Sequence, residues 1–381
     1  MKVITTTAEL ETACTALRAC EFVAVDTEFM RESTYWPILC LIQAAGGETE
    51  VIIDPMADGI DMAPFHALLL DETVTKVFHA ARQDLEIFYN QMGGKVPHPI
   101  FDSQVAAMAA GLGDSIAYDN LVRTMLKRQI DKGSRFTDWS RRPLSDKQLT
   151  YAIGDVTHLR DLYPELRDRL ERAGRLTWVA EEMDILTSPD TYRMDPEDSW
   201  KRLKLRKLTP KWLAALRAAA AWREREAQTR DMPRQRIIKD EGLYELAHAA
   251  PLSPDAMTGL RAVPRGFERS SAAGRLISDM KAAMANPDAY APEVGPPPQR
   301  PNGGDSTTEL LKVLLKMIAE DAGVAPRLIA TVPELEQIAV SDTADVAALK
   351  GWRRDVFGEA ALKLKRGELA LRLNKGKVVL E

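Results

Sequence analysis

"FVAVDTEF" (residues 22–29) sets two acids, Asp26 and Glu28, into a run that is otherwise apolar and β-branched. A run of that composition and length reads as a buried strand. Side chains alternate faces along a strand, so Asp26 and Glu28 share one face while Val25 and Thr27 take the other. Two unpaired carboxylates side by side repel, and the neighbour together with desolvation raises the pKa of one until it takes up a proton. Something positive is therefore expected between them. A solvated strand end that carries two acids is the competing reading, and this stretch alone does not separate the two.

Two further places supply acids. After the strand-like "TKVFHA" (75–80) comes "ARQDLEIFYN" (81–90), where Leu85, Phe88 and Tyr89 set an apolar helical face and Asp84 falls in the first turn. An acid there also suits the helix dipole, so Asp84 taken alone says little. Later, "DKQLTYAIGDVTHLRDLYPELRDRL" (146–170) carries Leu149, Ile153, Val156, Leu159 and Leu162 on one stripe. Tyr151 and Asp155 are four residues apart, hence one turn apart on one helical face. A phenol and a carboxylate placed so can serve one site.

Composition frames these motifs. The chain has 381 residues, 45% of them hydrophobic, enough for two or three domains with real cores. Its longest apolar runs, such as "LAALRAAAAW" (213–222), stop well short of the roughly 18 residues a membrane span needs, and no hydrophobic signal segment follows Met1. A cytoplasmic protein is expected. Cys14, Cys20 and Cys40 form an odd set without C-x-x-C spacing, which suggests neither a disulfide framework nor a zinc site. The net charge of −5 gives no global sign of nucleic-acid binding, so any basic surface must be local.

The organisation changes along the chain. Over residues 1–185, short β-branched runs ("ILCLIQAA", "EVIIDP", "TKVFHA") alternate with helical patterns, which predicts an α/β domain. From about residue 200 the pattern is helical, Ala/Leu-rich and punctuated by proline. "PDAYAPEVGPPPQRPNGG" (287–304) holds six prolines and three glycines and reads as a linker, too Pro-rich for a helix. The sequence half-repeats on either side of it. Residues 212–247 and 310–339 each show a long apolar-periodic helix, a Pro-led step and an L-x-x-[LI]-A helix, as two copies of one fold would. The expected layout is 1–185, 201–287, a linker at 288–304, and 305–381.

"DTEF" (26–29), "FHAARQDLEIF" (78–88) and "DWSRRPLSDKQLTYAIGDVTHL" (138–159) together resemble the three exonuclease motifs of the DEDD superfamily in its tyrosine-bearing branch, and specifically the ribonuclease D family. D-x-E alone is unspecific. Three motifs in order, with Y-x-x-x-D last, are not. Residues 205–285 look like the helicase-and-RNase-D C-terminal (HRDC) domain, and the segment after the linker looks like a more divergent second copy. The resemblance implies an RNase H-like 3′–5′ exonuclease domain followed by two all-α HRDC-type domains. It also implies metal-dependent hydrolysis of RNA from the 3′ end, releasing nucleoside 5′-monophosphates, with the 3′ trailers of tRNA precursors as substrate.

That chemistry accounts for the acids. Hydrolysing a phosphodiester needs a nucleophile made at neutral pH and stabilisation of the attacking and leaving oxygens, and two divalent metals held by carboxylates supply both. Oxygen ligands without Cys or His favour Mg²⁺ or Mn²⁺ over zinc. By resemblance, Asp26 bridges two metals, Glu28 and Asp155 complete the water-activating site, Asp84 supports the second metal, and Tyr151 orients the water. A tyrosine of ordinary pKa, near 10, is a poor general base, which assigns Tyr151 to positioning. Against that stands an ordinary helix-packing aromatic.

Other residues carry less. Phe29 resembles the family's apolar contact to the terminal base, although a buried strand Phe fits as well. His79, at the strand end before Asp84, either approaches substrate or packs. "KRLKLRKLTPKWLAALRAAAAWR" (201–223) holds eight Lys/Arg and no acid, and Lys204, Arg206 and Lys207 with Trp200, Trp212 and Trp222 suit an RNA backbone with stacked bases. A solvated helix over core tryptophans is the alternative. RNA is thus the expected partner, with no membrane and a monomeric state. A DNA 3′–5′ exonuclease would share the acid set, but no polymerase or helicase signature accompanies it. A non-catalytic RNA-binding scaffold would be expected to have lost a motif residue, and all five are present.

Overall fold

Six strands form one sheet: β1 (Val3–Ile4), β2 (Phe22–Met30), β3 (Ile38–Gly46), β4 (Thr49–Ile53), β5 (Thr75–Phe78) and β6 (Ile100–Asp102), in the order β1-β4-β3-β2-β5-β6. β2, the strand of the two acids, is central. It runs parallel to β5, β5 parallel to β6 and β1 parallel to β4, while β3 and β4 form an antiparallel hairpin pair. β3 is buried from Leu39 to Gly46, and its sequence is apolar apart from Gln43. The computed structural model describes residues 3–130, 133, 137–295 and 304–381.

Among the described residues, seven helices accompany the sheet: α1 (Thr7–Arg18), α2 (Ala63–Leu69), α3 (Arg82–Gln91), α4 (Ser103–Ala109), α5 (Tyr118–Leu126), α6 (Asp146–Arg172) and α7 (Leu176–Thr187). Their starts are written locally. Thr6 caps α1 by accepting from the Glu9 N–H. Ser145 and Gln148 cap α6 reciprocally, with Gln148 N donating to Ser145 Oγ at 3.3 Å and Ser145 N to Gln148 Oε1 at 3.0 Å. The apolar stripe of α6 is buried from Ala152 to Leu170, and Asp155 is buried with it.

The chain divides into two compact units, one of Met1–Glu28, Cys40–Thr191 and Pro296–Glu381, the other of Phe29–Leu39 and Tyr192–Gly295. The second contains α8 (Pro210–Thr229), α9 (Arg234–Ile237), α10 (Asp240–Ala249), α11 (Pro254–Met257), α12 (Ser271–Ala285) and α13 (Pro287–Tyr290). Its core gathers Trp212, Leu216, Trp222, Leu243, Leu246, Leu276 and Met280. Trp212 and Trp222 are 6% and 2% exposed, and the Trp222 indole donates to Ala272 O at 2.9 Å, so neither ring is available to stack on a base. The short segment Phe29–Leu39 is tied into the same unit. Tyr35 donates its hydroxyl to Glu224, which Arg234 grips at 2.5 and 2.6 Å, and Asp231 accepts the N–H groups of Tyr35 and Trp36 at 3.0 and 2.9 Å.

The expected linker at 288–304 needs correcting at its edges. Pro287–Tyr290 forms one helical turn, because a proline at the first helical position gives up only an N–H that would lack a partner anyway, and Asn286 accepts the Ala289 N–H at 3.3 Å. At the other edge, α14 (Gly304–Ala322) begins inside the expected linker. Residues 296–303 lie outside the described residues.

Beyond them come α14, α15 (Pro326–Ile329) and α16 (Val332–Val340), repeating the element order of α8, α9 and α10. The chain closes on a helix at Glu359–Lys365 and an antiparallel hairpin, β7 (Leu371–Asn374) with β8 (Lys377–Leu380). This segment packs onto the first unit's own helices. Trp352 stacks on Trp178 of α7 with centroids 4.2 Å apart, and Arg353, 8% exposed, donates to Leu328 O at 2.9 Å and pairs with Glu182. Arg175 donates to Ala109 O at 2.7 Å and Gly323 O at 2.8 Å. Gly111 allows the close approach, since a Cβ there would lie 2.4 Å from Gly323 O. Among the described residues no helix is long and apolar enough to cross a membrane.

Candidate active site

Asp26 and Glu28 stand two residues apart near the end of β2, both half-buried, and α6 brings Asp155, 8% exposed, to them. Carboxylate oxygens of Asp26, Glu28 and Asp155 lie within 4.8 Å of one another. Asp84 sits in the first turn of α3, 7% exposed, and accepts a hydrogen bond from the hydroxyl of Thr27, the residue between the two strand acids.

The electrostatics are those of an acid cluster out of water. Burial, then the charge of Asp155, pushes the Asp26 carboxyl up to about 8. Burial, then Asp26, Asp155 and Asp84, pushes Glu28 up to about 9. Asp84 is raised well above the carboxylate range by burial and by Asp26, opposed by the Thr27 hydroxyl. Desolvation and like charge both penalise the ionised forms, so without a cation these acids favour their protonated forms. The donors are all hard carboxylate oxygens, a set that suits Mg²⁺ or Mn²⁺ and not a thiolate- or imidazole-seeking metal.

Tyr151 lies on α6 one turn before Asp155, half-buried, its ring 6.1 Å from that of Trp139. The loop before α6 is pinned from the sheet side. Arg142 donates to both Asp54 oxygens at 2.6 and 2.7 Å, to Cys40 O at 2.7 Å and to Trp139 O at 2.7 Å. Such a bidentate pair, with the Asp54 side chain 9% exposed, fixes where α6 starts.

One neighbour of the site escaped the sequence reading. Tyr118, in the first turn of α5, donates its hydroxyl to the backbone oxygen of Asp155. Its own hydroxyl is pushed well above the usual tyrosine range by burial, then by Asp155, Asp26, Asp161 and Tyr151, which places this phenol within the field of the cluster. No local pattern in "SIAYDN" (115–120) signals that contact, because it depends on a tertiary approach.

The remaining candidates separate. Phe29 follows Glu28 on β2 and is half-buried. His79 has internal partners: its Nδ1 lies 2.9 Å from Ser103 Oγ, its ring packs 5.0 Å from that of Tyr118, and burial lowers its basicity. Lys204 is exposed. Arg206 forks onto Glu241 at 2.9 and 2.5 Å and lies 3.7 Å over the Tyr244 ring, while Lys207 Nζ is 3.4 Å from His248 Nδ1. The basic stretch is thus partly engaged within its own helical unit, although exposed pairs of this kind contribute little and exchange readily.

Comparison with known proteins adds independent findings. A 3′–5′ exonuclease family model matches residues 1–171, and an HRDC domain model matches residues 213–271. The chain is 52% identical over 379 residues to a ribonuclease D of Nitrobacter hamburgensis, covering 100% of this chain and 99% of that one. It is 48% identical over 371 residues to a ribonuclease D of Granulibacter bethesdensis, covering 97% and 93%. Its structure is similar to that of Escherichia coli RNase D, described as an exoribonuclease involved in structured RNA processing, with a TM-score of 0.82, 29% identity and coverage of 96% and 98%.

Proposed function

The chain belongs to the ribonuclease D family and is a hydrolytic 3′–5′ exoribonuclease, and from that premise we propose that Asp26, Glu28, Asp84, Asp155 and Tyr151 form its catalytic centre. Asp26, Glu28 and Asp155 would hold one divalent cation, with Asp26 shared and Asp84 supporting a second, Mg²⁺ or Mn²⁺. When bound, such a pair makes a nucleophile from water at neutral pH and stabilises charge on the attacking and leaving oxygens. Asp84 and Asp155 are held in place by burial, and Asp84 also by Thr27. Tyr151 directs the attacking water by hydrogen bonding, its site on α6 set by the capped helix start and the Arg142–Asp54 pair. Tyr118 supports the backbone at Asp155.

The observation that carries this reading is the convergence of three carboxylates within 4.8 Å from β2 and α6, with burial and mutual charge as the leading influences on Asp26 and Glu28. The substrate reading is structured RNA with a single-stranded 3′ end, the trailers of tRNA precursors above all, degraded to nucleoside 5′-monophosphates by a cytoplasmic monomer. The repeated element order of α14 to α16 supports reading residues 305–381 as a second HRDC-like module beside 201–287, with 1–185 as the exonuclease domain. Lys204 and its neighbours then belong to the RNA-gripping surface. The test is degradation of a 3′-extended tRNA, a matched unstructured RNA and a matched single-stranded DNA, with and without Mg²⁺ or Mn²⁺. The reading expects metal-dependent release of 5′-monophosphates from RNA. Preference for DNA, or undiminished cleavage in chelator, would overturn it.

A further inference from the structure

Asp102 ends β6, opposite Phe78 at the end of β5, and is 2% exposed. It caps α4 in the ordinary way, its Oδ1 accepting the N–H groups of Gln104 at 2.8 Å and Val105 at 3.3 Å. Its carboxylate also reaches across to the neighbouring strand's exit. Oδ1 accepts the Ala80 N–H at 3.0 Å and Oδ2 the Ala81 N–H at 2.8 Å. The next residue, Ser103, meets the His79 ring at 2.9 Å. Three consecutive residues, 79 to 81, are therefore held by the pair Asp102–Ser103.

What they hold is a turn under strain. Ala80 has φ +57, the left-handed region that an L-residue with a Cβ avoids. Ala81, the N-cap of α3, has no capping side chain of its own, and the Asp102 carboxylate accepts the Ala81 N–H, the group that the N3 side chain of a capping box would otherwise serve. Three residues further on is Asp84. A shift in this turn would rotate the first turn of α3 and carry Asp84 away from Thr27 and Asp26.

We propose that Asp102 is a positioning residue for Asp84, fixing the 79–81 turn so that the Asp84 carboxylate faces the acid cluster. The proposal rests on the reading of Asp84 as a ligand of the second cation. Partners that orient metal ligands from behind change metal affinity by about 10–100-fold when lost. The Asp102→Asn protein should accordingly need at least about tenfold more Mg²⁺ for half-maximal cleavage of a short 3′-tailed RNA, with its KM for RNA unchanged. Its Mg²⁺-induced rise in melting temperature should shrink at a fixed Mg²⁺ concentration, whatever its metal-free melting temperature.

Two substitutions at Ala80 sharpen the test. Glycine adopts positive φ without penalty, so adding Ala80→Gly to Asp102→Asn should recover part of the lost Mg²⁺ affinity. Ala80→Val in the otherwise native chain strains the turn from an exposed position, without disturbing a core, and should raise the half-saturating Mg²⁺ several-fold. It reports on the turn even if Asp102→Asn does not fold. Asp84→Asn serves as reference. If it leaves Mg²⁺ dependence untouched, the ligand reading fails and the proposal with it. If Asp84→Asn shifts the dependence while Asp102→Asn and Ala80→Val both keep the wild-type midpoint and the wild-type Mg²⁺-induced stabilisation, the positioning role is overturned and Asp102 is a helix cap only.

Discussion

Asp26 on β2 and Asp155 on α6 present carboxylate oxygens within 4.8 Å of each other, so two elements distant in sequence are brought together at a point where like charges meet. In the metal-free protein this closeness opposes ionisation. The folded-state pKa of Asp26 rises to about 8 and that of Glu28 to about 9, against about 4 for an unfolded carboxyl. Between those values the folded chain keeps protons that the unfolded chain has lost, so stability falls as pH rises through that window. The metal-free melting temperature should drop from pH 5 to pH 8, more steeply than in Asp26→Asn, and millimolar Mg²⁺ should restore it. Equal slopes in the two proteins would count against a repelling cluster.

In the proposed centre Tyr151 orients water without having to ionise. Removing its hydroxyl in Tyr151→Phe should lower kcat by about 10²-fold, on the scale of a misplaced catalytic group, while Mg²⁺ midpoint and RNA affinity stay near wild type. Single-turnover rates and RNA titrations measure the two separately. Full activity would return Tyr151 to packing against Trp139.

Arg353 ties the C-terminal segment to α7 through Glu182, and binds α15 within that segment through Leu328 O. Cutting it back in Arg353→Ala leaves a half-buried carboxylate and a carbonyl without their donor, a loss of about 1.5–3 kcal/mol. Urea unfolding should show it. A change below about 1 kcal/mol would mean that residues 304–381 contribute little to the stability of the first unit.

Local pattern carried much of this molecule. The strand of Asp26 and Glu28, the first-turn place of Asp84 and the one-turn spacing of Tyr151 and Asp155 all follow from periods of two and 3.6 residues, which a sequence displays directly. What the sequence hides depends on approach through space. Tyr118 reaching Asp155, Asp102 reaching Ala80, and Arg142 reaching Asp54 each join residues whose own neighbourhoods look ordinary. The placing of Phe29–Leu39 with the second unit rests on Tyr35, Glu224 and Arg234 in the same way. The tryptophans misled for a related reason: a Trp beside basic residues looks alike whether it faces solvent or core, and Trp212 and Trp222 face the core.

Lys204, Arg206 and Lys207 offer a test of RNA gripping. Each phosphate contact contributes about −0.7 to the slope of log affinity against log salt for a single strand. Replacing all three with Gln should flatten that slope and weaken binding of long structured RNA while sparing cleavage of a short oligonucleotide. Because Arg206 is paired with Glu241, it should contribute less than Lys204. An unchanged slope with a lowered melting temperature would assign the three to packing within their helical unit.

If the carboxylates of β2 and α6 hold the metal, Asp26→Asn must abolish both metal binding and turnover. The substitution removes one charge from the cluster with little change of shape, so the metal-free protein should fold normally and melt at or above the wild-type temperature at pH 8. With Mg²⁺ added to saturation for the wild type, its release of 5′-monophosphates from a 3′-tailed RNA should be abolished and its Mg²⁺-induced stabilisation lost. Near-wild-type hydrolysis by a folded Asp26→Asn protein would contradict the assignment of this site.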